Sequence, residues 1–460
     1  MTAVSTPPTA ATLMPSPSGN PLLTGAILPT LVRLALPNLI SILFLTAVVV
    51  AETVYIGRLG TEALAAMALV FPMIMLTQQM SSGAMGGGVS SAIARSIGAG
   101  DEVRARALAL HALLIGTCGG LLFMLVPLAF GPAIYRLLGG QGEVLNQALL
   151  YSNTLFSGVM AVWLLNTLAS IVRGTGNMKM PSITSIGVGL AQALLGGGLA
   201  LGLGGLPRLG IAGVALAQVL AYAGGALTLF WFLRSGRARL RIGVTGVTLN
   251  REMFLDILKV GAIACLSSLF SVSTVLIAAG LVARYGTTAL AGYGIGVRLE
   301  FLLIPIAFGF GTACVPMVGM AIGAGNPARA RRVAWTGATL SAGLIAVIGI
   351  VAVAAPDLWA RIFTTDPQVR AAAGEFLRWA GLGFPLFGFG LCLYFASQGS
   401  GKVLGVVAAS AVRLLVVAIG GWLVVRNGAP FWVLAMVIGC AHMSYGLASG
   451  TAVKLTRWGR

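Results

Sequence analysis

Long apolar runs separated by short polar punctuation dominate this chain. The runs cover residues 34–56, 63–90, 107–130, 146–171, 182–203 and 210–233, then 254–283, 289–320, 333–354, 374–397, 403–425 and 431–453. Each approaches or exceeds the ~20 residues that a helix needs to cross the hydrocarbon core of a bilayer. The pattern predicts an all-α polytopic membrane protein with about twelve transmembrane helices. The punctuation also repeats. Ile97–Arg106 reads IGAGDEVRAR and Ile322–Arg331 reads IGAGNPARAR, with seven of ten positions identical at an offset of 225. The same offset places Arg173–Gly176 on Gln398–Gly401, and a one-residue slip places Arg58–Ala65 on Arg284–Ala291. The chain is therefore two copies of one six-helix unit. Six is even, so the copies run the same way through the membrane, as parallel repeats about an axis along the membrane normal.

This pattern divides the chain into five parts. Residues 1–26 are expected as a flexible N-terminal tail, 27–233 as an N-lobe of helices 1–6, 234–253 as a basic linker, 254–455 as a C-lobe of helices 7–12, and 456–460 as a short tail. The first twenty residues lack Lys and Arg and so have no basic region of a secretory signal. Composition agrees with a lipid solvent. The chain is 58% hydrophobic and only 9% charged, far below the charge content of about 25% in soluble domains.

The net charge of +18 would suit a nucleic-acid partner if it were clustered. The basic residues instead sit at the ends of apolar runs, where they set topology. Arg95, Arg104, Arg106, Arg173, Lys179, the Arg234–Arg251 linker, Arg329, Arg331, Arg332 and Lys402 all fall in even-numbered loops. Both termini are therefore expected in the cytoplasm. The five cysteines lie within apolar runs without CxxC spacing, so neither a metal site nor a disulfide framework is indicated. No phosphate loop or nucleophile–base arrangement points to an enzyme.

Charged groups inside the spans carry the chemistry, because a carboxylate at the centre of a membrane helix costs at least ~2.5–3.5 kcal/mol. Only Glu52 and Glu300 lie well within the runs. Glu52 is six residues before Arg58, or roughly 9 Å from the helix end at 1.5 Å per residue. Scarce water there lets a carboxyl take up and release a proton. Arg298 and Glu300 are two apart and face different directions on a helix, so they are not expected to pair with each other. Arg413 is a further buried charge. These three are candidates for a C-lobe cavity or an inter-helix ion pair. Gln192 and Gln218 are neutral polar candidates in the N-lobe, and Tyr151 could help wall a cavity for organic cations. Lone histidines, His111 and His442, are expected to be structural.

The succession GRLGTEALAAM, IGAGD and RGTGN in the first half, with its echo in the second, resembles the MATE (multidrug and toxic compound extrusion) transporters, near their bacterial DinF-like and NorM-like members. The resemblance extends from about Ile27 to Leu455. It implies two six-helix lobes around a V-shaped cavity and cation-coupled antiport by alternating access, with small, cationic amphipathic substrates moved out. It also implies a monomer in a bacterial plasma membrane, with no cofactor beyond a coupling ion. The family's first-helix Pro and the acid fifteen positions later match Pro37 and Glu52, although the acid is usually Asp. Its fourth-helix Tyr matches Tyr151. Its fifth-helix Asn and Asp fall on Gln192 and Gly196, and its sixth-helix Thr on Gln218. Acids that some relatives carry on helices seven and ten are missing from Val260–Gly280 and Leu377–Phe395. With one carboxylate lost, protons are expected rather than sodium as the coupling ion. The alternative function is a flippase or exporter of lipid-linked saccharide or another amphipathic metabolite.

Overall fold

The computed structural model describes residues 20–243 and 248–459. All its regular elements are helical. Those that can cross a membrane are α1 (Ile27–Gly57), α2 (Thr61–Gly98), α3 (Glu102–Leu137), α5 (Lys179–Leu201) and α6 (Gly210–Arg234), then α7 (Arg251–Ala283), α8 (Thr287–Gly323), α9 (Pro327–Ala354), α10 (Pro367–Ser400), α11 (Leu404–Arg426) and α12 (Phe431–Leu455). Between α3 and α5, α4 is a pair, Gly142–Ser157 and Val159–Gly174, bent by 47°. The described residues thus hold eleven helices able to cross a membrane, or twelve if the bent pair counts as one. Helices overrun the apolar runs at their ends because membrane helices continue into the interface, where hydropathy falls before the backbone hydrogen bonding does.

Helix α1 shows how a span is read in lipid. Leu31, Ala35, Asn38, Ser41, Val48, Glu52 and Tyr55 are buried, while Leu28, Val32, Leu36, Ile40, Leu43, Val50 and Val54 are exposed. Both sets recur at three- and four-residue spacing, so one stripe packs inward and the other faces lipid. Pro37 lies inside an uninterrupted α1. It removes one backbone donor at that turn.

The repeated IGAG motifs end the second helix of each lobe. Gly100 and Gly325 adopt φ of 79° and 72°, the left-handed conformation that closes a helix at low cost only for glycine. Asp101 and Asn326 then cap α3 and α9, accepting from the backbone N–H of Arg104 and Arg329. Two positions earlier in each motif, Gly98 and Gly323 meet the opposite lobe. A Cβ on Gly98 would strike the Met320 carbonyl, and one on Gly323 would strike the Arg95 carbonyl. The two copies of the motif therefore touch backbone to backbone, a packing that only small residues permit.

Charge reinforces this contact. Arg95 Nη2 lies 2.7 Å from Asp256 on α7, and Arg104 reaches Glu252 at 3.0 Å and Asp256 at 3.2 Å. Arg329, the repeat equivalent of Arg104 at the offset of 225, donates instead to the Leu22 and Gly25 carbonyls at 3.2 and 2.6 Å. Each lobe's third helix thus grips the start of the other lobe's first helix. Of the expected N-terminal tail, residues 1–19 lie outside the described residues. Pro21–Thr24 forms a short helix with Leu22 buried, so this part of the tail is docked. In the linker, Leu240 is buried and Arg239 pairs with Glu102 at 3.4 Å.

Among the described residues, the inter-lobe hydrogen bonds and ion pairs lie toward this basic end, down to Asn38 Nδ2 donating to Thr312 Oγ1 at 2.6 Å. The apolar packing follows the same division. One buried cluster combines residues of both lobes, from Leu31 and Ile93 to Met320 and Leu393. A second belongs to the C-lobe alone and a third to the N-lobe alone. The lobes share a core at the basic end and keep separate cores beyond it.

Replacing Gly98 with Leu should therefore force the lobes apart at the basic end. Spin labels at the exposed positions Arg106 and Arg332 should be further apart in the variant, read by double electron–electron resonance. An unchanged distance distribution would contradict the close-packing argument.

Candidate functional site

The inward stripe of α1 carries Glu52 into the N-lobe, where it is only 5% exposed. Its Oε1 accepts from Gln192 Nε2 of α5 at 2.5 Å. The contact places Gln192, where the resemblance implies Asn, against the acid. Tyr55 follows Glu52 by three residues and shares its face. Its hydroxyl lies beside the carboxyl but has no partner at good hydrogen-bonding geometry. Tyr151 on α4 and Tyr222 on α6 are buried or half-buried within electrostatic range of the same carboxyl. Glu52 thus sits among three phenols and one amide, away from lipid. Gln218 is also buried on α6, but the hydrogen bond to Glu52 comes from Gln192.

Gly196 has a structural reason to lack a side chain. A Cβ there would lie 2.5 Å from the Tyr55 hydroxyl. The space that a fifth-helix carboxylate would need is filled by the phenol, so the missing acid and Tyr55 are two parts of one arrangement.

A polar network runs on from this site. Gln78 donates to the Tyr222 hydroxyl at 2.8 Å, and Asn166 donates to Gln78 at 3.1 Å and to Ser81 at 2.8 Å. Gln79–Met85 between them is wound as a π-helix, a form that often marks functional positions. Beside it, Gly86 and Gly87 have no room for a Cβ against Ser170 and Gln398. Tyr55, Asn166 and Tyr222 were not picked out by sequence reasoning. The signal for Tyr55 was its helical spacing from Glu52, and for Asn166 its place as an amide within an apolar run.

The C-lobe gathers a second set of buried charges. Glu300 on α8 lies 3.2 Å from His442 Nε2 of α12 and 3.8 Å from Arg413 Nη2 of α11. Arg413 also stacks over Phe387, 4.6 Å from the ring centroid. Arg298 does not join this cluster. It is exposed on another face of α8 and stacks over Phe363 at 5.1 Å. The cavity or ion-pair role considered for Arg298 is replaced by a surface cation–π contact, because the two-residue step from Glu300 turns it out of the bundle. His442 was expected to be structural, and the structure places its Nε2 beside Glu300. The described residues contain no group of three or more His, Cys, Asp or Glu arranged to hold a metal ion.

Comparison with known proteins places these features in a family. The MatE family profile matches the chain twice, over residues 37–196 and 264–423. The "FAD transporter" of Shewanella oneidensis is 26% identical over 349 residues, covering 76% of this chain and 77% of that protein. The "Probable multidrug resistance protein NorM" of Thermotoga maritima is 28% identical over 346 residues, covering 74% of this chain and 73% of that one. Among solved structures, a MOP superfamily transporter from Pyrococcus furiosus, whose description notes a binding pocket of reverse polarity, superposes with a TM-score of 0.87 at 24% identity. That match covers 95% of this chain and 98% of the other.

The phenol over Gly196 supplies a stability test. Gly196→Ala should destabilise the protein by about 1–3 kcal/mol through overpacking, and Tyr55→Phe in the same chain should relieve part of the loss. Thermal unfolding of the four proteins in detergent measures the coupling. Additive effects would mean that the two positions are not in contact.

Proposed function

This chain belongs to the MATE family of membrane transporters, and from that premise we propose that it exports small amphipathic organic cations in exchange for protons, with Glu52 as the coupling group. It is a multi-pass membrane transporter and not an enzyme. The observation that carries the coupling reading is the Glu52–Gln192 contact, set in the N-lobe among phenols and away from lipid.

A protonated carboxyl can remain in this dry site at little cost. The ionised form needs water, a donor or a cation. A group whose two forms favour different surroundings gives each lobe arrangement a different proton affinity, which is what coupling requires. A cationic substrate that neutralises the carboxylate competes with the proton for the same charge. The site suits a proton better than sodium, because Tyr55 occupies the place of a second carboxylate and sodium needs several well-placed oxygens.

The basic loops argue for a cytoplasmic basic end and cytoplasmic termini. The described conformation is then closed toward the cytoplasm by the glycine contact and the Arg95 and Arg104 ion pairs. Pro37 sits beside Asn38, whose bond to Thr312 crosses between the lobes. A helix short of one backbone hydrogen bond at that point can bend at lower cost when the lobes rock. Export of an amphipathic metabolite is the second reading. The relative named as an FAD transporter favours it, whereas the pairing of Arg413 with Glu300 argues against a free cationic pocket for phosphates.

Glu52→Gln in proteoliposomes should lose efflux driven by a pH gradient while eluting as a folded protein, and Glu52→Asp should retain it. Dye transport measured separately under a pH gradient and a sodium gradient distinguishes the coupling ions. Undiminished proton-driven efflux by Glu52→Gln would remove Glu52 from the mechanism.

A further inference from the structure

The C-lobe charge cluster is not the repeat copy of the N-lobe site. At the offset of 225 or its one-residue slip, Glu52 falls on Ile277 or Ala278 and Glu300 on Met75 or Ile74. Three ionisable groups from three helices have been assembled independently in the second lobe. Their geometry departs from that of a static ion pair. Arg413 and Glu300 approach only to 3.8 Å, without the parallel double bond of a well-built guanidinium–carboxylate pair. Arg413 Nε and His442 Nδ1 are both buried without a hydrogen-bond partner. Such loose ends are costly in a dry interior.

The carboxylate decides the state of the imidazole. Glu300 Oε1 faces His442 Nε2 at 3.2 Å, and an ionised carboxylate can only accept. Nε2 therefore carries the hydrogen in the neutral ring, and Nδ1 is left as a bare basic lone pair. This nitrogen belongs to a residue only 1% exposed. Adding a proton at Nδ1 makes an imidazolium that still donates from Nε2 to Glu300. The cluster then holds one carboxylate against two cations, and the excess charge lies between the Phe384 and Phe387 rings of α10.

We propose that Glu300, His442 and Arg413 form a second proton-binding site, in the C-lobe, which loads at His442 Nδ1. The groups around it are few. Helix α8 contributes Glu300 and Tyr293, α11 contributes Arg413, and α12 itself contributes Tyr445. Helix α10 presents phenylalanines to the imidazole, while its Glu375 and Arg378 line a surface groove with Trp379 and Trp432. As a second coupling site it rests on the antiport reading above, and Glu52 then accounts for only part of the proton movement.

The chain has two histidines, which makes a direct test practical. Histidine-labelled protein in nanodiscs should give two imidazole signals, assigned with His442→Gln. The His442 signal should pass from the neutral Nε2–H tautomer to the imidazolium as protons are added, and Glu300→Gln should remove the preference for that tautomer. In proteoliposomes, His442→Gln should exchange about half as many protons per substrate as the wild type. A His442 that holds one protonation state throughout, or a proton count unchanged in the variant, would overturn the proposal. Wild-type protein that ignores a pH gradient would sink the antiport reading, and the titration would still decide the triad.

Discussion

Two glycines determine how closely the lobes approach. Gly98 and Gly323 stand at matched places in the repeat, and each lies against a carbonyl of the other lobe. Lipid offers helices no hydrophobic drive to associate, so contact depends on close packing and on the few polar groups that can pair. Backbone contact at this one end brings Arg95 and Arg104 to Asp256 and Glu252, and Arg329 to the carbonyls before α1. Beyond it, each apolar cluster belongs to one lobe alone. A joint confined to one end leaves each lobe with a core of its own beyond it.

The same scarcity of water governs the interior. An unpaired charge is too costly in hydrocarbon to be placed at random, and the described buried acids each sit with partners. Glu52 has an amide and phenols, and Glu300 has an imidazole and a guanidinium. The N-lobe arrangement is economical, since Tyr55 occupies the space above Gly196 and also stands beside the carboxyl. The C-lobe arrangement leaves two nitrogens without partners. Duplication supplied the scaffold of both lobes, but their polar sites diverged.

The sequence alone determined the spans, the repeat and the isolation of Glu52 and Glu300 within apolar runs. These are local properties. Apolar length and helical period are imposed by the solvent and the backbone one segment at a time. Partners were not legible in this way. The bonding of Gln192 rather than Gln218 to Glu52, the turning of Arg298 away from Glu300, the entry of His442 and the closing of the lobes by Arg95 were decided only by tertiary structure. Each depends on how helices far apart in the chain are rotated against one another. A lipid-soluble sequence constrains that rotation weakly, because a leucine facing lipid and a leucine facing a neighbour read alike.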